Sequence, residues 1–450
     1  MTSKRRSRRW CDADGVMRSV LLIAFHYPPI GGAGVQRNVQ IVRRLPERGY
    51  RPVVLTGAAA PDYRWTPTDL SLGDRGDAPV THRLVGSEPP HGVRWEARLE
   101  RWARIPARWQ RWWSSRLVDA VEALPEEVAL VRASLAPYAI GPAIVDAARR
   151  LGKPLVLDLE DPWALDEMMV YPTQVHRLLE LRKMRRVLAA ADAVVMNTPE
   201  AAHRVVGAFP ELDGRVRAIP NAFDPADFEG VANASGDGRF RIVHTGSLHM
   251  DAGLKHRDMS RQRRALGGFV EGVDFLTRSH VFLVEALGRL LDSHPELRDV
   301  IELHVAGVLT PSEQQSIERV GNATLHGFLS HRETTDLLRS ADLLFLPMQN
   351  LPPGRRATIV PQKTYEYLAS KRPILAAVPD GDARDLLAEA RSALLCRPDD
   401  VSAMADLLRL EVDRWKSGTE PVPPRPDLVA RCSADRLAAD MADLFDELLS

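Results

Sequence analysis

Three glycines in "VLLIAFHYPPIGGAG", Gly31, Gly32 and Gly34, follow an apolar run that begins at Val20. A glycine cluster between a strand and a helix lets a ligand approach the backbone closely. The first amides of the helix favour an anion there. The chemistry suggested is phosphate binding; the simpler reading is a tight turn with no ligand, and this motif alone leaves both open. A nicotinamide dinucleotide is disfavoured. That fingerprint needs G-x-G-x-x-G and an acidic residue closing the second strand, whereas the second strand here ends "VVLTG".

Two further stretches carry unusual side chains. In "VRWEARLERWARIPARWQRWWSSRL", Trp95, Trp102 and Trp109 recur at every seventh position, Trp112 and Trp113 follow, and arginines lie between. Pro106 divides the stretch into two short helical pieces. Indole at the headgroup level and guanidinium against lipid phosphate suit a membrane interface. Trp102, Trp109, Trp112 and Trp113 are therefore expected at a membrane or acceptor surface, with inward packing as the alternative. "HMDAGLKHRDMSRQRRALGGFVEGVDF" reads as a long loop carrying Lys255, Arg257, Arg261, Arg263 and Arg264. It is expected to be a basic flap, covering either the donor phosphates or an anionic acceptor, or else a solvated charged loop.

The elements that must position these groups alternate. "SVLLIAF", "RPVVLTG", "VALVRAS", "KPLVLDL" and "DAVVMNT" are apolar strands separated by helical segments. Such alternation implies a parallel sheet covered on both faces. After the small, polar stretch from Phe228 to Phe240 it restarts with "FRIVHTGSL", "IELHVAG", "ATLHGFL", "DLLFLPM" and "RPILAAV". The expected organisation is a basic disordered tail over 1–16 and a Rossmann-like domain over 17–228. A second such domain covers 239–420, and a final helix over 428–450 packs back toward the first. With 450 residues, two large domains and a cleft between them are the natural division. Ligands in such sheets bind at the carboxyl ends of the strands.

Composition excludes several classes. Formal net charge is zero, so no global field draws nucleic acid. Cys11, Cys396 and Cys432 have no metal-binding spacing, and a reducing cytoplasm is the simple reading. No apolar run is long enough for a membrane span. No HExxH, P-loop or GxSxG occurs, and no D-x-D stands in a metal-binding context.

"LLIAFHYPPIGGAGVQRNVQIVRRLPERGYRPVVLT" resembles the amino-terminal segment of bacterial-type family 4 glycosyltransferases, and "IVPQKTYEYLASKRPILAAV" resembles the nucleotide-sugar region of the same family. The resemblance runs in pieces from about Ser19 to the final helix. It implies the GT-B architecture, two facing Rossmann-like domains with a C-terminal crossing helix, and a retaining transfer from a nucleoside diphosphate sugar, UDP or GDP, to a hydroxyl acceptor. Gly31, Gly32 and Gly34 would lie at the cleft near the diphosphate. Glu366 matches the glutamate that binds the ribose, a task suited to a carboxylate accepting from two adjacent hydroxyls. The family's other glutamate falls on Thr358, a departure, and Lys363 with Thr364 would contact phosphate or sugar in its place. "RIVHTGSL" resembles the donor domain's first strand and turn, giving Gly246 and Ser247. Arg278 takes the place of the basic residue that neutralises the diphosphate. Gly327, Phe328 and Leu329 resemble the turn that presents its backbone to the base.

On the acceptor side, "LVLDLEDPWALDEM" is similar to a family Asp-Pro-Trp motif commonly preceded by arginine; here Glu160 precedes it. Asp161 would orient an acceptor hydroxyl or take its proton, unless it caps the start of a helix. His26 is an acceptor contact or a loop histidine. The family implication is front-face transfer with no metal or other cofactor. The expected partners are the donor and a hydroxyl acceptor, lipid-linked, polysaccharide or secondary metabolite. The expected location is the cytoplasm or the cytoplasmic membrane face. Two other readings stay open: a nucleotide-sugar epimerase of the same fold, and a non-catalytic nucleotide-sugar-binding protein, to which Thr358 lends support.

Overall fold

The computed structural model of the protein describes residues 17–57, 69, 80–230 and 237–450. The basic segment 1–16 with Cys11, and 231–236 of the expected linker, lie outside the described residues.

Two fully parallel sheets organise the chain. The first has seven strands: β1 (Arg18–Ala24), β2 (Tyr50–Thr56), β3 (Val80–Arg83), β4 (Leu130–Ser134), β5 (Leu155–Leu159), β6 (Ala193–Met196) and β7 (Val216–Ala218). Their spatial order is β3-β2-β1-β4-β5-β6-β7. The second has six: β8 (Phe240–Thr245), β9 (Ile301–Ala306), β10 (Ala323–Gly327), β11 (Leu343–Pro347), β12 (Ile374–Ala377) and β13 (Ala393–Cys396), ordered β10-β9-β8-β11-β12-β13. Helices cover both faces, so central strands are apolar throughout rather than alternating. Val20 to Ala24 are all at most 1% exposed.

Sheet order fixes where a ligand can sit. The chain winds outward from β1 in one direction and from β4 in the other, so a crevice opens between the ends of β1 and β4. The same reversal occurs between β8 and β11. The loop after β1 holds the glycines, and that after β5 holds Glu160 and Asp161. The loop after β8 begins at Gly246, and that after β11 runs through Gln349 and Thr358.

The final helix, Ala434–Leu449, crosses back. It packs on the helix Ala33–Arg44. Leu437, Met441 and Phe445 join the core cluster beneath β1 and β2. The Phe445 ring meets Tyr50 edge-on at 5.4 Å, and the Tyr50 hydroxyl donates to Asp446 at 2.6 Å.

The stretch 249–275 is not the structureless loop expected. It forms the helices Met250–Arg257 and Arg261–Ala265. Three of its five named cations are engaged: Arg257 pairs with Asp274, Arg263 donates to the carbonyls of Tyr171 and Pro172, and Arg264 to those of Arg257 and Met259. Among the described residues no helix is long and apolar enough to cross a membrane.

Candidate functional site

The glycine loop is held from behind by a buried ion network. Arg37, 1% exposed, donates to Asp158 on β5 and to the carbonyls of Ile219 and Pro220. Arg132 on β4 bonds the same Asp158 and also Asn38. Burial favours the protonated acid, but the two guanidiniums outweigh it and hold the Asp158 carboxyl below its usual range. Asp158 is thus a structural anchor fastening the helix Ala33–Arg44 to the sheet.

In front of that anchor the loop is tight. Gly32 caps the helix at φ +117°, a conformation that favours glycine. A Cβ at Gly34 would overlap the Glu160 carboxylate. Glu160 therefore lies directly over the glycine loop. Burial and the neighbouring Asp161 charge raise its carboxyl to about 7. Asp166 is raised to about 8 by burial, Asp161 and Glu167. Asp161 is raised too, through burial, against the pull of Arg278. Its side chain caps no helix; instead its carbonyl accepts from the Trp163 amide and the Tyr138 hydroxyl. Trp163 has φ +48°, an outlier for a bulky residue that costs roughly 1–3 kcal/mol. Parallel stacking on Tyr138 at 4.9 Å and a 3.0 Å bond from Nε1 to Glu180 retain it.

The second domain faces this wall with cations. Arg278 projects toward the first domain, its Nη1 lying 3.1 Å from Met168 Sδ and 3.5 Å from Gln349 Oε1. Burial lowers its guanidinium, while Asp161, Asp166 and Glu167 favour the charge. Lys363, on the helix Gln362–Ala369, donates from Nζ to the Thr245 carbonyl. The ammonium is depressed to about 7 by burial and then by Arg278, with Glu366 opposing. It lies 3.4 Å from His244 Nε2, whose Nδ1 bonds the Phe345 carbonyl. A Cβ at Gly246, where φ is +95°, would come within 3.0 Å of the same ammonium.

Glu366 completes the group. Burial raises its carboxyl, and His331, Lys363 and a hydrogen bond from Gln36 counter that. Gln36 stands two residues past the last loop glycine, and its Nε2 lies 3.0 Å from His331 Nδ1. His331 Nε2 in turn bonds Asp227 at 2.7 Å.

Arg278, Lys363, Glu366, Gly246 and the loop of Gly31, Gly32 and Gly34 thus meet in one neighbourhood. Ser247 follows Gly246, and Thr364 is buried there with its hydroxyl unbonded. Gly327 ends the edge strand β10, and Phe328 and Leu329 follow it. They are tied in by the Gly307 amide, which donates to the Gly327 carbonyl at 2.7 Å, and Phe328 is 45% exposed. His26 stands apart. Burial and the nearby His91 lower its imidazole to about 4, and no hydrogen bond joins it to Asp161.

The tryptophan expectation needs correction. Trp113 is fully buried in the core, Trp109 stacks on His91 at 4.5 Å, and Trp112 packs against the same core. Trp113 therefore does not reach the surface, and Trp109 and Trp112 are half-buried. Trp102 forms an outer surface, at 50% exposed, together with Trp95 at 56% and Leu99 at 41% on the helix Arg94–Ala103.

Residues 30–227 match the family model described as Glycosyltransferase Family 4, and residues 269–410 match Glycosyl transferases group 1. The chain is a GT-B glycosyltransferase. Solved structures share the fold along almost the whole of both chains. Sucrose-phosphate synthase from Thermosynechococcus elongatus superposes with TM-score 0.61 at 16% identity, over 96% of this chain and 99% of its own. Anabaena HepE in complex with UDP and glucose gives 0.60 at 16%, over 96% and 100%. The alpha,alpha-trehalose 6-phosphate synthase of Burkholderia multivorans gives 0.57 at 15%, over 96% and 98%. No curated protein shows significant sequence similarity to the chain.

Within this glycosyltransferase, sequence reasoning missed four contributors. Glu160 appeared only as a departure from a motif. Gln36 and His331 meet Glu366 through pairings far apart in the chain. Glu167, fully buried, receives hydrogen bonds from Thr358, the position flagged as lacking a glutamate.

Proposed function

We propose that this enzyme transfers a sugar from a nucleoside diphosphate sugar to a hydroxyl acceptor with retention of configuration. The observation that carries the reading is the single cluster of Arg278, Lys363 and Glu366 beside the glycine loop. Two cations suit a diphosphate, and an acid next to them suits a ribose diol. In this reading Arg278 and Lys363 stabilise the charge that develops on the leaving phosphate, so no metal is required. The leaving phosphate helps deprotonate the incoming hydroxyl. Glu160 and Asp161, on the opposite wall, hold that hydroxyl in line. HepE, solved with UDP and with UDP-glucose, makes UDP-sugars the first donors to try.

The acceptor reading is a lipid-linked glycan worked on at the cytoplasmic membrane face. Its support is the helix Arg94–Ala103, which turns Trp95, Leu99 and Trp102 outward beside exposed Arg94, Arg98 and Arg101. Behind that helix a cavity of about 570 Å³ is lined by Tyr138, Trp163, Tyr171 and Lys183.

Incubation with labelled UDP- and GDP-sugars tests the function. Transfer, or slow hydrolysis with retained configuration, is expected. A new sugar isomer without transfer would mean an epimerase, and binding without turnover a non-catalytic protein.

A further inference from the structure

The side chain of Glu167 is 0% exposed, yet it is a carboxylate placed between two domains. It follows β5 in the first domain. Its oxygens accept from the Thr358 amide at 3.1 Å, the Thr358 hydroxyl at 2.6 Å and Gln349 Nε2 at 3.1 Å, all from the loop after β11 in the second domain. Arg204 of the first domain supplies a fourth donor at 3.1 Å. The Thr358 carbonyl accepts in turn from Thr198 of the first domain at 2.7 Å. Both the donor and the acceptor of the Thr358 backbone are therefore held from across the cleft.

A buried carboxylate is costly unless its oxygens are satisfied. Here three of the four donors belong to the opposite domain. Separating the domains would leave Glu167 with Arg204 alone, so its full satisfaction requires contact between them. The same carboxylate fixes Gln349, whose other amide atom, Oε1, faces Arg278 Nη1 at 3.5 Å. Met168, the residue after Glu167, supplies the second contact to that nitrogen. A continuous chain of contacts runs from Glu167 to the guanidinium assigned to the donor diphosphate.

We propose that Glu167 is a positioning residue for the donor site. The first domain lends it to the second, where it orients Thr358 and Gln349 and, through Gln349, aims Arg278. The donor site is then complete only while the domains are in contact. The proposal rests on the donor reading given above.

The test uses the full chain, with UDP and GDP as probes in calorimetry and thermal unfolding followed in parallel. Glu167→Gln and Thr358→Val should each weaken nucleotide binding about tenfold, the size of a coupling near 1.4 kcal/mol. Gln349→Ala cuts the arm to Arg278 and one donor to Glu167, while both Thr358 donors and Arg204 stay in place. It should weaken binding with little change in Tm, and it keeps the idea falsifiable if Glu167→Gln does not fold. Thr358→Glu alone should bind worst, because it sets a second carboxylate against the first. The exchange Glu167→Thr with Thr358→Glu should recover part of the affinity. Wild-type affinity in Gln349→Ala and Thr358→Val, with only Tm lowered, would overturn the positioning role. Wild-type protein that binds neither UDP nor GDP would overturn the donor reading itself, and this proposal with it.

Discussion

The Lys363 ammonium is depressed to about 7 by burial and then by Arg278, so its charge is lost as pH rises through that value. Its depressed value makes a directional prediction. UDP affinity should fall as pH rises from about 6 to 8.5, when the ammonium is lost. Lys363→Met should bind weakly at every pH, with the slope gone. Glu160 works in the other sense. Raised to about 7, it becomes the carboxylate that accepts a hydrogen bond from the incoming hydroxyl only as pH climbs, so turnover at saturating donor should rise through pH 7 and Glu160→Gln should flatten that rise. Arg278→Ala and Glu366→Ala each remove charge-assisted hydrogen bonds of about 1.5–3 kcal/mol, so UDP affinity should drop roughly tenfold or more while Tm stays near wild type. The sequence marks Glu366 and Arg278 through the family resemblance of the segments that carry them. Glu160 and Glu167 carry no such mark. What each does depends on a partner in another loop, Gly34 for one and Thr358 for the other, and spacing along the chain does not encode that.

At the level of elements, the clearest case is the helix pair around Pro106. A stretch rich in tryptophan and arginine does not announce which indoles face inward. The phase does, once read: Trp113, Leu117 and Val121 stand four apart on the helix Arg108–Glu122, and all three are buried. Trp95, Leu99 and Trp102 form the equivalent stripe on the preceding helix but stay exposed, with Arg108 over the Trp95 ring and Arg263 over the Trp102 ring. The two stripes should therefore behave oppositely. Trp113→Ala should cost about 3–5 kcal/mol in urea unfolding. Trp102→Ser with Trp95→Ser should leave stability within roughly 0.5 kcal/mol but reduce sedimentation with phosphatidylglycerol vesicles; unchanged sedimentation would discard the membrane reading. The network around Asp158 is another element-level device. Asp158→Ala strands two buried guanidiniums and should destabilise by about 3–5 kcal/mol, with a correspondingly lower urea midpoint. The basic stretch 249–275 was hard to read because its helices are short and its order comes from docking, as in Arg263 against residues 171 and 172.

The architecture of the whole molecule is its most legible feature. Alternating apolar runs and amphipathic segments specify parallel sheets with covered faces, and the break near residue 230 separates two of them. What alternation does not supply is the contact between them, which depends on single side chains such as Thr198, Arg204 and Asp382 reaching across. Glu200 donates its amide to Asp382 at 2.7 Å, and Arg204 reaches the Arg356 carbonyl at 2.7 Å. The final helix adds a further tie. Removing residues 434–450 should uncover the cluster of Val35, Val39 and Tyr50 and lower the first domain's unfolding transition in calorimetry, while the second domain's transition moves less. That helix also imposes an order on biosynthesis. The segment that seals the first core is translated after the whole of the second domain, so the nascent first domain leaves the ribosome with a greasy flank uncovered. That flank stays uncovered until the chain returns to close it.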